Sequence, residues 1–492
     1  MKKLNFIILS LFLVFGLTAC DTVDFDDINK NPNGATEISA SGLMSSAIMD
    51  YATITGRDYL IRPTLNVQYQ SQVTYTSEMR YSESKASWYA YYVGAMSSLD
   101  QVIKYNQDPD NQGATLNAQG YPANQIGVSM ILKSVIAKRV TDTWGDIPYS
   151  EGFMGLENLA PAYDKQEDIY KSIIADVKAA RDMMDSNEDG PIGDILYNGN
   201  IAQWKKFANS FLLQATLQLS KKYPSASDYP AVEFNNALND VNGLIETPSD
   251  EAWFQYQDLT GFRNPWFANR TRDYFLSQEF TDALKGNAAL NPTSNTTFDD
   301  RISVYAKNTS DDGVPYGYSN GSGSGKNQMS TANYWNADSS LPMLTASYTY
   351  LNRADAAEMG WTSEDVMEML TNGIELSFET LDAHHGTAIA GNAATYAAAR
   401  ISDASSFSNA QVIAEEKWVS LYPSGFDAWA EWRRTEVPVL APATDFLNSG
   451  VIPRRYNYPV EESSLNGSNY DIGVQALSPT TDNNSSKVWW DQ

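Results

Sequence analysis

The sequence predicts a mainly α protein, and three observations carry that prediction. Apolar residues recur at the three-and-four spacing of a helix face in segment after segment. Strand-like alternation of apolar and polar residues is scarce. Long irregular stretches join the helical segments, and their residues are turn formers interleaved with large aromatics.

Taken in chain order, helical periodicity begins near Leu43. Trp88, Tyr91, Tyr92, Ala95, Leu99, Val102 and Ile103 then share one face. Ile126 to Val140 repeats the pattern. Asp164-Lys165-Gln166-Glu167 reads as a capping box, with Ile169, Ile173 and Val177 on the apolar stripe behind it. A further helix runs from about Ile201, carrying Trp204, Phe207, Phe211, Ala215 and Leu219 on its apolar side. Additional helical segments lie near 276–285, 344–358, 363–383 and 409–421. Helix pairs of this spacing suit a solenoid, although no repeating tetratricopeptide signature stands out. Residues 306–340 interrupt the pattern with Asp311-Asp312-Gly313, Pro315 and Gly321-Ser322-Gly323-Ser324-Gly325, interleaved with Tyr316, Tyr318, Tyr334 and Trp335. Irregular stretches of this length are functional or disordered in most proteins. The large aromatics argue against simple disorder.

The first twenty residues set the compartment. Lys2 and Lys3 precede an almost wholly apolar run from Asn5 to Leu17, and Leu17-Thr18-Ala19 brings small residues up to Cys20. This is the plan of a secretory signal peptide, too short to span a membrane. Its end, Leu17-Thr18-Ala19-Cys20, resembles the bacterial lipoprotein signal, in which the cysteine thiol takes the first acyl-bearing group. Cys20 is the single cysteine of the chain, so no internal disulfide forms. Residues 1–19 are therefore expected to be removed, and 20–36 to act as a lipidated acidic tether. Residues 37–492 are expected to form one soluble body with the long insertion at about 306–340. Several acyl chains hold such a body stably at a membrane, and no later segment approaches the ~18 apolar residues of a spanning helix.

A net charge of −26 argues against binding nucleic acid, whose phosphates require clustered Lys and Arg. It suits a body held off an anionic membrane surface. The aromatic content is high, with Tyr 29, Phe 18 and Trp 12. A flat apolar face with a hydrated polar edge stacks on sugar rings or apolar peptide groups, yet most such rings serve packing.

Several chemistries find weak support. Asp185-x-Asn187-x-Asp189-Gly190 places oxygen ligands and a glycine as in an EF-hand loop, with Ile192 at the eighth position. The twelfth is Leu196 in place of a bidentate Glu, which favours an Asp/Asn/Gly turn over a calcium site. His384 and His385 are adjacent, point around different sides of a helix, and precede Gly386 as a polar helix end would. No Gly-x-Ser-x-Gly elbow or phosphate-binding glycine loop is present. A glycoside hydrolase needs only two carboxylates, and 60 acidic residues supply pairs without singling one out. A structural or adhesion protein of the surface is a third class.

A family resemblance orders these readings. Its segments begin with Phe25-Asp26-Asp27-Ile28-Asn29-Lys30-Asn31-Pro32-Asn33 and Thr141-Asp142-Thr143-Trp144-Gly145-Asp146-Ile147-Pro148-Tyr149-Ser150. Asp194-Ile195-Leu196-Tyr197-Asn198-Gly199-Asn200 and Trp204-Lys205-Lys206-Phe207-Ala208-Asn209-Ser210 follow. Next come Asp299-Asp300-Arg301-Ile302, Glu416-Lys417-Trp418 and Ala428-Trp429-Ala430-Glu431-Trp432-Arg433-Arg434-Thr435. Pro453-Arg454-Arg455-Tyr456-Asn457-Tyr458-Pro459 and Val488-Trp489-Trp490-Asp491 close the series. In number and order these resemble the SusD/RagB family of outer-membrane nutrient-binding lipoproteins of Bacteroidetes, in its second, SusD-like branch. The chain departs at Phe211-Leu212-Leu213-Gln214, where the family commonly carries arginines. It departs again at Tyr348 and Asp355, where relatives often show Glu.

The resemblance implies tetratricopeptide-like stacked helical hairpins with a loop-rich ligand-binding region. It implies a non-enzymatic lid on a SusC-like TonB-dependent transporter, capturing an oligosaccharide or peptide outside a Gram-negative cell. It also marks the acidic residues after Cys20 as a surface-export tether of a lipoprotein in the cell outer membrane. Stacking on a ligand needs rings at irregular segments, so the candidates are Tyr81, Trp88, Trp266, Tyr316, Tyr318, Tyr334 and Trp335. Trp204, Trp418, Trp429 and Trp432 lie in helical patterns and read as packing.

Overall fold

The computed structural model describes residues 39–111, 113–287 and 289–492. Cys20, the signal sequence and the tether to residue 36 lie outside the described residues. Helices dominate. Those of eight residues or more are α1 Ala40–Ala52, α2 Ser97–Gln107, α3 Pro122–Trp144, α4 Gln166–Met183, α5 Ile201–Leu217 and α6 Tyr229–Leu238. They continue with α7 Gln278–Lys285, α8 Ala346–Glu358, α9 Val366–His385 and α10 Ala393–Ser406. The last are α11 Asn409–Ser420, α12 Gly425–Thr435 and α13 Gly467–Gln475.

Successive helices pack on one another: α2 on α3, α3 on α4, α4 on α5, α5 on α6, and α8 on α9. A second run, α9 on α10, α10 on α11 and α11 on α12, is joined to the first where α8 meets α5. This is the stacked-helix architecture expected from the sequence. Two short antiparallel ladders tie the irregular segments together. β1 (Gln70–Gln72) pairs with β3 (Tyr274–Leu276), and β2 (Ala252–Phe254) with β4 (Leu341–Leu344).

The helix α3 explains its own length. It is apolar on most sides, with Val128, Ile131, Leu132, Ile136 and Val140 buried, because helices pack against several of its faces. It stops at Gly145, whose φ of 98° suits glycine and few other residues. Trp144 just before the stop donates from Nε1 to the Asn457 carbonyl at 2.9 Å, fastening the C-terminal segment.

Several charged residues of the motif segments are interior. Arg301 pairs with Asp299 and Glu416, each at 2.7 Å, and Arg400 pairs with Glu416 at 2.7 Å and Glu415 at 2.6 Å. All five are buried. A second cluster joins Lys417 and Arg434 to Asp355 and Glu431. Asp355, a departure from the family pattern, thus still supplies a carboxylate to a buried lysine. Gln214, another departure, donates to Asp427 Oδ1 at 3.1 Å.

Two local expectations are corrected. Asp164 does not cap α4: its Oδ2 accepts from the Tyr149 and Ser150 amides, each at 2.8 Å. The Gln166 amide donates instead to Asp146 at 2.8 Å, so a remote carboxylate does the capping. The stretch 306–340 is also less open than its composition suggested. It bridges Ala306 to Met329 and buries Val314, Tyr316, Tyr334 and Trp335.

Candidate functional site

Six of the seven rings expected to face a ligand are interior, which corrects that expectation. Tyr81, Trp88, Trp266, Tyr316, Tyr334 and Trp335 are buried, and only Tyr318 is exposed, at 44%. The physical reason is area. Irregular segments have no apolar helix stripe, and one large ring closes more core than any aliphatic side chain. Trp88 packs edge-on to Trp144, Tyr163 and Tyr458. Tyr334 packs against Tyr305, Tyr422 and His385. Tyr81 is not at a helix start but in a turn at φ 71°, and its hydroxyl accepts from the Ala443 amide at 2.8 Å.

Two of these buried rings, Trp266 and Trp335, support a surface that the sequence did not single out. After β1 the chain folds back in a loop over residues 73–79. Gln72 closes it, accepting from the Met79 amide at 3.0 Å and donating to Glu78 at 2.8 Å. Tyr75 sits at the tip in the left-handed region, φ 55°, a conformation that costs a tyrosine on the order of 1–3 kcal/mol. The residue is 58% exposed. The Arg57 and Arg270 guanidinium carbons lie 5.1 and 5.9 Å from the ring centroid. Arg57 is held by Glu78 at 2.9 Å and Arg270 by Asp273 at 3.2 Å.

The segment preceding β3 forms the rest of the face. Trp266 and Trp335 pack at 5.3 Å, Tyr274 stacks on Trp335, and Trp335 donates to the Asn269 carbonyl at 3.2 Å. On that support a short turn, Pro265–Ala268, leaves Phe267 45% exposed with Arg263 over its ring at 5.3 Å. The glycine-rich run lies on the ends of β1 and β3. A Cβ on Gly323 would stand 2.1 Å from the Phe275 ring, so only glycine permits the approach. Thr76 donates to the Ser319 carbonyl at 3.3 Å, which places Tyr75 and Tyr318 each one residue from a shared hydrogen bond. The face therefore combines exposed rings with fixed cations on a rigid aromatic base.

A cavity of about 320 Å³ opens elsewhere, between Trp88, Tyr92, Phe153, Leu159 and Leu465. Its polar groups are already engaged: Tyr89 and Tyr163 both donate to Glu462, at 2.8 and 2.6 Å.

The remaining candidates are structural in their contacts. Asp185 accepts from the amide and side chain of Asn187, both at 2.9 Å, closing a turn. The loop carbonyls of Asp185, Glu188 and Asp189 converge on the Asn124 side-chain amide at 3.0–3.3 Å, a donor where a cation would otherwise stand. Among the described residues no cluster of three or more His, Cys, Asp or Glu is placed to hold a metal. α9 does end at Gly386 in the left-handed region, yet its histidines are half-buried and packed on neighbouring groups. His384 stacks on Trp253 at 3.9 Å and lies 3.2 Å from Glu251, and burial with the neighbouring His384 pushes His385 down to about 4.

Stacked helices that display a loop-built aromatic face define a scaffold protein of the helical-repeat kind. The chain belongs to the SusD-like family described as starch-binding and associating with the outer membrane, whose second-branch model matches residues 32–459. Among solved structures it is similar to a chitin-binding protein at 23% identity and TM-score 0.74, over 92% of this chain and 100% of that one. A SusD homologue from Bacteroides fragilis is 20% identical with TM-score 0.74, over 93% and 100% of the two chains. A chitin-binding SusD homologue from Flavobacterium johnsoniae is 20% identical with TM-score 0.71, over 92% and 98%. These likenesses establish the fold. No curated protein sequence matches the chain. No helix of the described residues is long and apolar enough to cross a membrane.

Proposed function

We propose that this protein captures an oligosaccharide at the outer surface of the cell and passes it to a SusC-like TonB-dependent transporter without chemical turnover. The observation that carries the reading is the face built around Tyr75, with Tyr318 and Phe267 exposed on the adjoining loops. A pyranose presents an apolar C–H face that stacks on an exposed ring, while its hydroxyls reach nearby polar groups. The family description and the chitin-binding relatives favour a glycan over a peptide. Acylation at Cys20 and the acidic stretch to residue 36 supply the anchor in this reading, with the body from residue 37 onward as the capture module.

The test is calorimetric titration of the mature protein with a glycan panel, repeated for Tyr75→Ala and Tyr318→Ala. Loss of a stacked ring costs about 1–3 kcal/mol, by analogy with base stacking. Tyr75→Ala is expected to weaken binding accordingly while leaving the melting temperature near wild type. Equal affinity in wild type and both variants would remove the site. For the partner, affinity purification from native outer membranes is expected to recover a TonB-dependent barrel, and repeated recovery of this chain alone counts against the transporter role.

A further inference from the structure

We infer that the glycan bound at the Tyr75 face is acidic, carrying carboxylate or sulfate groups read by Arg270, Arg272 and Arg57; this rests on the capture reading above. The chain has 15 arginines and a net charge of −26. Among the described residues the exposed arginines are Arg263, Arg270 and Arg272, all within one ten-residue stretch of the candidate face. Arg57, its side chain 40% exposed, is the fourth to reach this surface. Interior ion pairs hold many of the others, including Arg301, Arg400, Arg434, Arg454 and Arg455. Such a distribution does not follow from a need for solubility, which acidic residues already meet.

Two arginines at the face, Arg57 and Arg270, are fixed without being used up, and a third, Arg272, stands free beside Arg270 in the chain. Arg270 gives its Nε and Nη2 edge to Asp273, which leaves its Nη1 side open. Arg57 gives Nη1 to Glu78, and its guanidinium carbon lies over the Tyr75 ring, 5.1 Å from the centroid, which keeps the cation at the exposed tip of the loop. Arg272 makes no ion pair or side-chain hydrogen bond among the described residues. A guanidinium fork matches a carboxylate or sulfate through two parallel N–H···O bonds. Tyr75 would then hold the sugar ring while the flanking cations hold its acidic substituent. On so acidic a chain, a local group of arginines also focuses an anion onto one spot that the rest of the surface repels.

The experiment pairs oligogalacturonate with its neutral methyl ester, which share a backbone and differ in charge. Chondroitin sulfate hexasaccharide tests sulfate, and chitohexaose serves as a neutral aminosugar. Binding is measured for wild type, Arg272→Ala, Arg270→Gln and Arg270→Lys; Arg272 is exposed and, among the described residues, has no ion pair or side-chain hydrogen bond to lose. The expected result is at least tenfold preference for one or both acidic probes over the neutral ones. That preference should weaken with added salt, fall at least tenfold in Arg272→Ala and Arg270→Gln, and be partly kept in Arg270→Lys. Neutral probes bound as tightly as acidic ones, with the arginine variants unchanged, would overturn the charge inference and leave glycan capture standing. Acidic probes bound equally by wild type and all three variants would overturn the assignment to these arginines. No binding of any probe, acidic or neutral, would count against both.

Discussion

Replacing Glu416 by Gln tests whether the separated motif segments form one buried electrostatic unit. Glu416 Oε2 accepts from Arg301 at 2.7 Å, and Oε1 accepts from Arg400 at 2.7 Å and from the Tyr396 hydroxyl at 3.0 Å. The amide keeps the shape but removes the charge and turns an N–H toward an arginine. Breaking a buried pair costs about 3–5 kcal/mol. Arg301 keeps Asp299, and Arg400 keeps Glu415 and Asp403, so the lower end applies. A unit of roughly 450 residues has an unfolding entropy near 1 kcal/mol per degree, so the melting temperature should fall by about 3 °C if it melts cooperatively.

The same substitution has a pH signature. Burial pushes the Glu416 carboxyl up, but Arg301 and Arg400 outweigh it and hold the group below its ordinary 4.5. A carboxyl lowered in the folded state contributes stability that is fully present above its unfolded value and lost as pH falls through the folded value. The gap between wild type and Glu416→Gln should therefore be complete at pH 7 and narrow below about pH 4.5. Scanning calorimetry across that range measures it, with Lys171→Ala as control, since the Lys171–Glu167 pair is solvent-exposed and worth little. A variant melting within 1 °C of wild type at pH 7, or a gap that widens on acidification, would refute the reasoning.

Three further outcomes are expected. Trp266→Ala should cost about 3–5 kcal/mol of stability because it empties the base beneath the Phe267 turn; thermal melting checks it, and an unshifted melt would mean that the ring is dispensable for packing. Cys20→Ala should abolish lipid labelling and membrane retention in cells, and normal acylation of that variant would remove the anchor. Calcium titration by calorimetry should give no heat at the 185–190 turn, whereas heat that vanishes in Asp185→Ala would restore the cation reading.

The helices were legible where their inward faces are apolar. Ile169, Ile173 and Val177 marked α4, and Trp204, Phe207 and Phe211 marked α5, since all of these are buried. α10 is hard to read because its buried face is Ala393, Tyr396, Ala397, Arg400 and Ala404: alanines give a weak stripe, and an arginine turned inward carries no hydropathy signal. α6 was hidden by Tyr229-Pro230, which reads as a turn although proline suits the first helical residues. The aromatic candidates failed for a different reason. Residue type reports how much area a ring can bury, and says nothing of whether the fold turns it inward. Tyr75 had no mark in sequence, because its exposure depends on Gln72 reaching across to Glu78 and Met79. What the sequence does carry is the spacing of Arg263, Arg270 and Arg272, three cations in ten residues of a strongly acidic chain.

Scaffold and ligand face are encoded in different residues. Asp299, Arg301, Glu416, Lys417, Glu431 and Arg434 belong to the segments that carry the family resemblance, and all are buried in ion pairs. Buried charges must meet their partners at close range or lose several kcal/mol, so such segments constrain helix packing tightly. Tyr75, Phe267, Arg270, Arg272 and Tyr318 fall outside every one of those segments. They stand on loops whose backbone is anchored by β1, β3 and the Trp266–Trp335 pair, leaving their own side chains little packing to satisfy. Exchanging Tyr75, Phe267, Arg272 or Tyr318 changes stacking and charge at the surface without disturbing the buried pairs. Membership of the family therefore says little about which sugar is bound, and the rings and arginines of this face are where that specificity has to be read.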